Sequence, residues 1–562
     1  MPSAAGDDES SAILRWPAWS IFVIPTVFVV AIGLSWRFQP VFFEWDGIFQ
    51  VVAGREIFSG QGYHGWPSHF WPPLYSVLAG LAGKALPIYP GARLVSLVAA
   101  GGLLVVTYHL ARLWFDDPAV ALGAQFFTSL NPLVVREALA AQNHMLEAFC
   151  FLACVTLLLR GLSEPRSSTF ALAGVVGGLA GLTRYTSYIL FPIGAAAILL
   201  ALRRDRRASL VGAATFLAGA GIVSLPWWTY NALQNGSPLA NWHYLNTGMS
   251  MMKYVDPQST EARWLFRDQE SFSSVSQLVR TYPRAFFTNM WHTAGDVLVL
   301  CFQLAKGLQL LVPFGIAYAI VRHDQRTRRA TLLVMSIFVA WTLLVSQAYT
   351  KTYAMTVWAV VFTILAVAFL GAVGRWLTAR RRNPILSYAY AGVGALLAVL
   401  ALRGARDAVL SYGGPNHDAY GQLRDWASIR DAMRAHDPAF AEKTVMSSHP
   451  GWGWNLGTHG YIEMPHYYIG TARQLGVLEG LGPRVRRYTP RWPSETPDSA
   501  LRADYILYDS VARSQVPQVE SQLEAEASSP DHGVTVVYRG PYATLYELHW
   551  HRLDSASVTA GR

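Results

Sequence analysis

The sequence predicts a mostly α-helical, polytopic membrane protein that ends in a small α/β domain, and three observations lead there. The first is composition: of 562 residues, 52% are hydrophobic and only 14% charged, where an ordinary soluble domain carries about a quarter charged residues. The second is a series of apolar runs near 17–35, 91–111, 118–135, 142–160, 169–184, 186–202, 208–230, 296–321, 330–347, 353–376 and 385–403. A crossing helix needs roughly 20 apolar residues, so these runs amount to about eleven spans. The third is charge placement. Arginines gather between the runs, at Arg203, Arg204, Arg206 and Arg207, at Arg322, Arg326, Arg328 and Arg329, and at Arg375, Arg380, Arg381 and Arg382. Short basic loops beside apolar spans mark the cytoplasmic side of a membrane. The formal charge of +9 therefore reflects topology, and no nucleic-acid partner is expected.

Residues 1–15 read as a disordered, polar cytoplasmic N-terminus. The apolar run after Arg15 lacks a small-residue cleavage site and reads as an uncleaved first span. The run 73–87, bounded by Pro72-Pro73 and Pro87, is too short to cross and is expected to lie in the interface or to re-enter. With that choice the basic loops all fall inside, while loops 36–72, 136–142, 231–295 and 347–352 fall outside. The membrane unit is then 16–403, and the tail 411–562 is periplasmic. In the tail an amphipathic pattern runs from Tyr420 to His436, and strands are expected at Thr444–Ser447 and Tyr505–Tyr508. Val534–Tyr538 and Thr544–Leu548 would pair as a hairpin around Gly540-Pro541. Cys150, Cys154 and Cys301 all lie in apolar stretches, which predicts packing rather than a zinc site.

The first outer loop holds two carboxylates, in Phe43-Glu44-Trp45-Asp46-Gly47, followed by His64, His69 and the pair Pro72-Pro73. A carboxylate beside a membrane span is costly if desolvated. In a water-poor, aromatic loop its pKa rises, which would make it a general base for a sugar hydroxyl. The bland alternative is a solvated loop. Farther on, His144 and Glu147 fall three residues apart on one helix face and can meet. An ionisable pair at the end of a span is a functional candidate, with a structural pairing as the alternative. Asn143 beside them could bind a sugar hydroxyl. Arg184 and Lys351, the latter in Tyr349-Thr350-Lys351-Thr352-Tyr353, are cations placed where a phosphate leaving group could be stabilised; lipid headgroups are the alternative partner.

The order of these segments resembles a known family. An acidic residue just after the first span is followed by Pro72-Pro73-Leu74-Tyr75, then Gly181-Leu182-Thr183-Arg184-Tyr185, then Pro226-Trp227-Trp228-Thr229-Tyr230-Asn231 with Gly236-Ser237-Pro238. This looks like the bacterial relatives of protein O-mannosyltransferases and lipid A aminoarabinose transferases, which share the GT-C glycosyltransferase fold. The resemblance implies that Asp46 is the family's acidic residue of the first outer loop, which deprotonates the acceptor or positions it, with Glu44 as its neighbour. The alternative for Glu44 is to help hold a divalent cation, as carboxylate pairs do, but many relatives need none and no cofactor is expected to be required. Relatives often carry a second acid near segment 136–147; here the matching position is His144, with Glu147 one turn deeper. The resemblance further implies Arg184 as a phosphate ligand, joined by Lys351 and Tyr353. From the residues themselves, His64, His69, Asn143 and Asn231 are candidate substrate contacts.

The expected function is transfer of a sugar from a polyprenyl-phosphate donor to a lipid, glycan or protein acceptor of the envelope, by inverting displacement. The enzyme would be a multi-pass inner-membrane protein with its active site facing the periplasm. Neither a phosphate-binding glycine loop nor a nucleophile elbow occurs in the sequence, which favours a lipid-linked donor over a nucleotide sugar. Gly451-Trp452-Gly453-Trp454-Asn455 is read as packing the tail onto the membrane unit. The rival readings are a flippase for a lipid-linked glycan and a catalytically silent glycan-binding relative.

Overall fold

The computed structural model describes residues 18–38, 42, 44–60, 62–63, 68, 70–255, 272–305, 307–322, 324–348, 352–379, 384–412, 425–458, 460–463, 491–492, 503–515, 517–529 and 533–549. In hydrocarbon every backbone polar group must be satisfied within its own segment, so the apolar runs become helices. The first ten are α1 (Val23–Ser35), α2 (Trp45–Ser59), α3 (Leu74–Ala82), α4 (Ile88–Phe115), α5 (Pro118–Ser129), α6 (Pro132–Leu139), α7 (His144–Ser163), α8 (Ser167–Gly181), α9 (Leu190–Ala201) and α10 (Arg206–Asn235). They are followed by α11 (His243–Met251), α12 (Val275–Thr281), α13 (Pro283–Leu304), α14 (Val312–Val321), α15 (Gln325–Val345), α16 (Thr356–Ala379) and α17 (Pro384–Ser411).

Among the described residues, five helices are long and apolar enough to cross a membrane, and α5 with α6 makes a sixth if that bent pair is one span. The count of eleven is therefore not reached on length alone. Trp19–Ser35, Ser167–Gly181, Tyr185–Ala201 and Gln309–Val321 are shorter apolar segments where full spans were expected. Two expected runs are also broken. Run 118–135 bends by 57° between α5 and α6, because Pro132 supplies no N–H and the Asn131 side chain caps a new helix at Leu133, 3.0 Å away. Run 296–321 divides into α13 and α14, with Gly307 at φ 86° in the connection and Pro313 in the first turn of α14. The run at 73–87 does yield only the short helix α3. Cys150 and Cys154 are buried and unpaired by disulfide.

Helices α8 and α10 approach so closely that a Cβ on Gly174 would lie 1.9 Å from the carbonyl oxygen of Phe216. Small residues permit such contact where two apolar helices cross. This packing fixes the end of α8, and Arg184 follows three residues beyond it.

The tail forms a six-stranded sheet of order β3-β2-β1-β4-β6-β5. Its strands are β1 (Thr444–Ser447), β2 (Gly460–Glu463), β3 (Arg491–Trp492), β4 (Tyr505–Asp509), β5 (Val534–Arg539) and β6 (Ala543–Leu548). The central strands β2, β1 and β4 are parallel, and β6 joins β4 and β5 antiparallel. Four of the strands and the hairpin match the sequence reading; β2 and β3 were not anticipated. Helices α18 (Trp426–His436), α19 (Pro450–Leu456), α20 (Ser510–Gln515) and α21 (Pro517–Ala527) complete it. The expected start of the first of these, 420–424, lies outside the described residues. Strand β4 is buried along its whole length, as befits a central strand covered on both faces.

Helix α19 carries the Gly-Trp-Gly-Trp-Asn segment and docks the sheet onto the first loop, as the sequence suggested. Asn455 donates to the carbonyl of Phe42 at 2.7 Å and accepts from its N–H at 3.2 Å. Phe42 stacks on Tyr89 and meets Trp454 edge-on. Beside it, Trp45 meets His449 edge-on at 5.0 Å, and the Nδ1 of His449 caps α19 by accepting from Gly451 N–H at 2.9 Å.

Candidate active site

Arg184 ends the α8 connection and precedes a short 3-10 helix, Tyr185–Ile189. Its guanidinium reaches back across to the start of α7. Nη1 lies 2.6 Å from Nδ1 of His144, and Nε lies 3.4 Å from Oε2 of Glu147. The i and i+3 spacing thus presents both side chains to one cation. Glu147 is only 3% exposed, and its other oxygen accepts from Thr186 at 2.9 Å and Ser187 at 3.0 Å. Two hydroxyl donors and the Arg184 cation thus hold the Glu147 carboxyl at that depth. Asn143 adds a further tie, donating to the carbonyl of Thr183 at 2.9 Å, while its Oδ1 is buried with no hydrogen-bond partner among the described residues.

The turn between α6 and α7 is the second part of the site. Buried Arg93 donates to the carbonyl of Leu139 at 2.9 Å, and Ser96 donates to that of Gln142 at 3.2 Å. Glu44, 4% exposed, precedes α2 and accepts from Ala141 N–H at 2.9 Å and from the Tyr412 hydroxyl. A Cβ on the adjacent Gly47 would lie 2.2 Å from the carbonyl oxygen of Ala141. The first loop and this turn are therefore in contact at backbone distance. Asp46, half-buried in the first turn of α2, is carried to the same place.

The turn brings a third carboxylate that the sequence reading left without a role. Glu137 is fully buried, accepts from Gln142 at 2.7 Å and lies 3.9 Å from Arg136. It is near enough to Glu44 and Arg184 for both charges to act on it. Thr186, Ser187 and Tyr412 were likewise missed. The first two stand just after Arg184 in sequence, so a search for hydroxyls beside that arginine would have found them; nothing local announces Tyr412, which arrives from the end of α17.

His243 at the start of α11 closes another side. Its Nε2–H donates to the carbonyl of Phe70 at 3.0 Å, and its ring meets that of Tyr185 edge-on. Burial first, and then the Arg184 charge, push its pKa down to about 4 against the opposing Phe70 bond. The side chain is neutral at physiological pH.

Not every expected residue joins this cluster. The amide of Asn231 is committed to the turn after α10: it donates to the carbonyls of Pro238 and Ala240, and its oxygen accepts from Asn235. That geometry makes it an anchor of its own loop. His64, His69 and Lys351 lie outside the described residues, and only the backbone of Tyr353 is described, in the short helix Thr352–Met355. The bonds from Ala141 and Tyr412 both fall on Oε1 of Glu44.

Comparison with known proteins bears directly on this geometry. Residues 88–230 match the family model described as dolichyl-phosphate-mannose-protein mannosyltransferase. The crystal structure of ArnT from Cupriavidus metallidurans bound to undecaprenyl phosphate aligns over 94% of this chain and 98% of its own, with a TM-score of 0.60 at 13% identity. The chain has the GT-C fold. The apo structure of the same ArnT gives a TM-score of 0.56 at 14% identity, covering 94% of this chain and 97% of its own. The Archaeoglobus fulgidus oligosaccharyltransferase tethered with an acceptor peptide aligns over 89% of this chain and 71% of its own, with a TM-score of 0.55 at 15% identity. No curated protein sequence matches. On the GT-C scaffold the matched stretch runs from α4 through α10 and includes Glu137, His144, Glu147 and Arg184.

Proposed function

We propose that this GT-C protein is a glycosyltransferase that moves a sugar from a polyprenyl-phosphate donor to an envelope acceptor on the periplasmic face of the inner membrane. The observation that carries the reading is the convergence of Arg184, held by Glu147 and His144, with the acidic first loop on one buried turn. Likeness of fold to a structure holding undecaprenyl phosphate supports the lipid donor.

In the proposed reaction Asp46 removes the proton of the acceptor hydroxyl as that oxygen attacks the anomeric carbon. The bond from that carbon to the phosphate oxygen breaks, the configuration inverts, and polyprenyl phosphate departs. Arg184 stabilises the charge that grows on the phosphate, where a fixed cation in a dry site is most effective. Glu147 and His144 act through Arg184 by holding its guanidinium. Glu44 positions the first loop, and Asn143 can accept from a sugar hydroxyl through its open Oδ1. Lys351 with Tyr353 are proposed to complete the phosphate site, and His64 and His69 to contact substrate.

The test is transfer of label from a panel of polyprenyl-phosphate hexoses and pentoses to an envelope extract, with the protein purified into lipid and assayed with and without chelator. Transfer with release of polyprenyl phosphate, undiminished by chelator, is the expected result. Binding of a lipid-linked glycan without any transfer would instead favour a flippase or a silent binder.

A further inference from the structure

One buried side chain has no structural use. Gln50 is 1% exposed, and neither its Nε2 nor its Oε1 has a hydrogen-bond partner among the described residues. An unmade hydrogen bond at a buried polar atom is costly, so a buried amide with two open ends calls for a partner that arrives. Leucine or methionine would fill the volume without that cost.

Its position indicates which partner. Helical spacing puts residues 46, 50, 53 and 57 in one stripe of α2. The lower end of that stripe, Ala53 and Ile57, shares a cluster with Trp227 and with Leu182 and Tyr185, which flank Arg184 in sequence. Asp46 begins the stripe. Gly47 and Gly54, on a neighbouring face, are closed off by the backbones of Ala141 and of Ser76 and Gly80. Gln50 therefore stands between the acid and the elements that carry the arginine. In the proposed reaction this is where the donor sugar ring must lie, since its anomeric carbon is attacked from one side and releases phosphate from the other.

The chemistry agrees. A side-chain amide offers donors and an acceptor together. A phosphate only accepts and would leave Oε1 open, while a polyprenyl chain satisfies neither end. Sugar hydroxyls, each both donor and acceptor, satisfy both. We infer that Gln50 binds hydroxyl groups of the donor sugar and contributes to sugar selection. This inference rests on the glycosyltransferase reading.

The experiment measures affinities of the full-length protein in lipid for the polyprenyl-phosphate sugar that it transfers and for bare polyprenyl phosphate, in the wild type, Gln50→Leu and Gln50→Met. Loss of one or two hydrogen bonds predicts donor binding about 10-fold weaker in both variants. Affinity for the bare lipid should be unchanged, and Tm unchanged or higher. Unchanged donor affinity, or an equal loss for both lipids, overturns the inference. A lower Tm with intact donor affinity also overturns it, because the partner is then an enclosed water. If the wild type transfers sugar while Gln50→Leu keeps full donor affinity, only Gln50 loses its role. If the wild type binds no sugar-bearing lipid more tightly than the bare one, the broader reading falls as well.

Discussion

Arg184 meets Glu147 and His144 through two different nitrogens of a planar guanidinium, a geometry that an ammonium group cannot reproduce. Arg184→Lys keeps the charge but loses the orientation, and a fall in kcat of about 100-fold is expected for a misplaced stabilising group. Steady-state kinetics on the variant check this, with Tm showing that the fold survives. The burial of His243 beside the Arg184 charge gives a pH prediction. The histidine titrates near 6.5 in an unfolded chain and near 4 in the native one. Between those values the unfolded chain binds the extra proton, so stability rises with pH there and is lost on acidification. Tm should fall as pH is lowered from 6.5 towards 4, and His243→Asn should flatten that dependence. At this scale the sequence was informative where spacing was local: His144 with Glu147, and the arginine at a span end. It could not reveal that Glu44 is engaged by Tyr412, 368 residues away, nor that Asn231 anchors its own loop.

Helix α2 and the turn at 139–142 act as one piece because Gly47 lets their backbones touch. A methyl group there would lie 2.2 Å from the Ala141 carbonyl oxygen, and backbone cannot yield as a flexible side chain does. Gly47→Ala should cost about 1–3 kcal/mol through overpacking. It should also lower transfer by about 100-fold, because displacing the acid by an ångström misaligns attack. Thermal unfolding and kcat together check both effects. Two expected runs are broken for similarly local reasons. Hydropathy averages over Asn131-Pro132 and over Gly307, so runs 118–135 and 296–321 looked continuous although each contains a helix end. Four strands of the tail were legible from alternation and β-branched content, whereas β2 holds a single β-branched residue, Ile462, and β3 is only two residues long.

The whole molecule ties its sheet domain to the segment that leads into α2 through Asn455, Phe42, Trp45 and His449. Asn455→Ala removes both backbone bonds to Phe42 while leaving the sheet core of Met446, Ile506, Tyr508 and Tyr546 intact. The tail should stay folded, and kcat should drop more than donor affinity, because the loop that carries Asp46 loses its support from above. A tail that merely bound glycan would show the reverse, weaker acceptor binding with kcat preserved. The Gly-Trp-Gly-Trp-Asn segment was recognisable as a packing element from its aromatic density, but its partner was not.

The most direct measurement is the rate of sugar transfer by Asp46→Asn beside the wild type, with donor affinity determined on the same preparations. Removal of a general base predicts a loss of about 100- to 10,000-fold in kcat with donor affinity unchanged. A variant that transfers sugar at the wild-type rate would contradict the assignment of Asp46 as the acceptor's base.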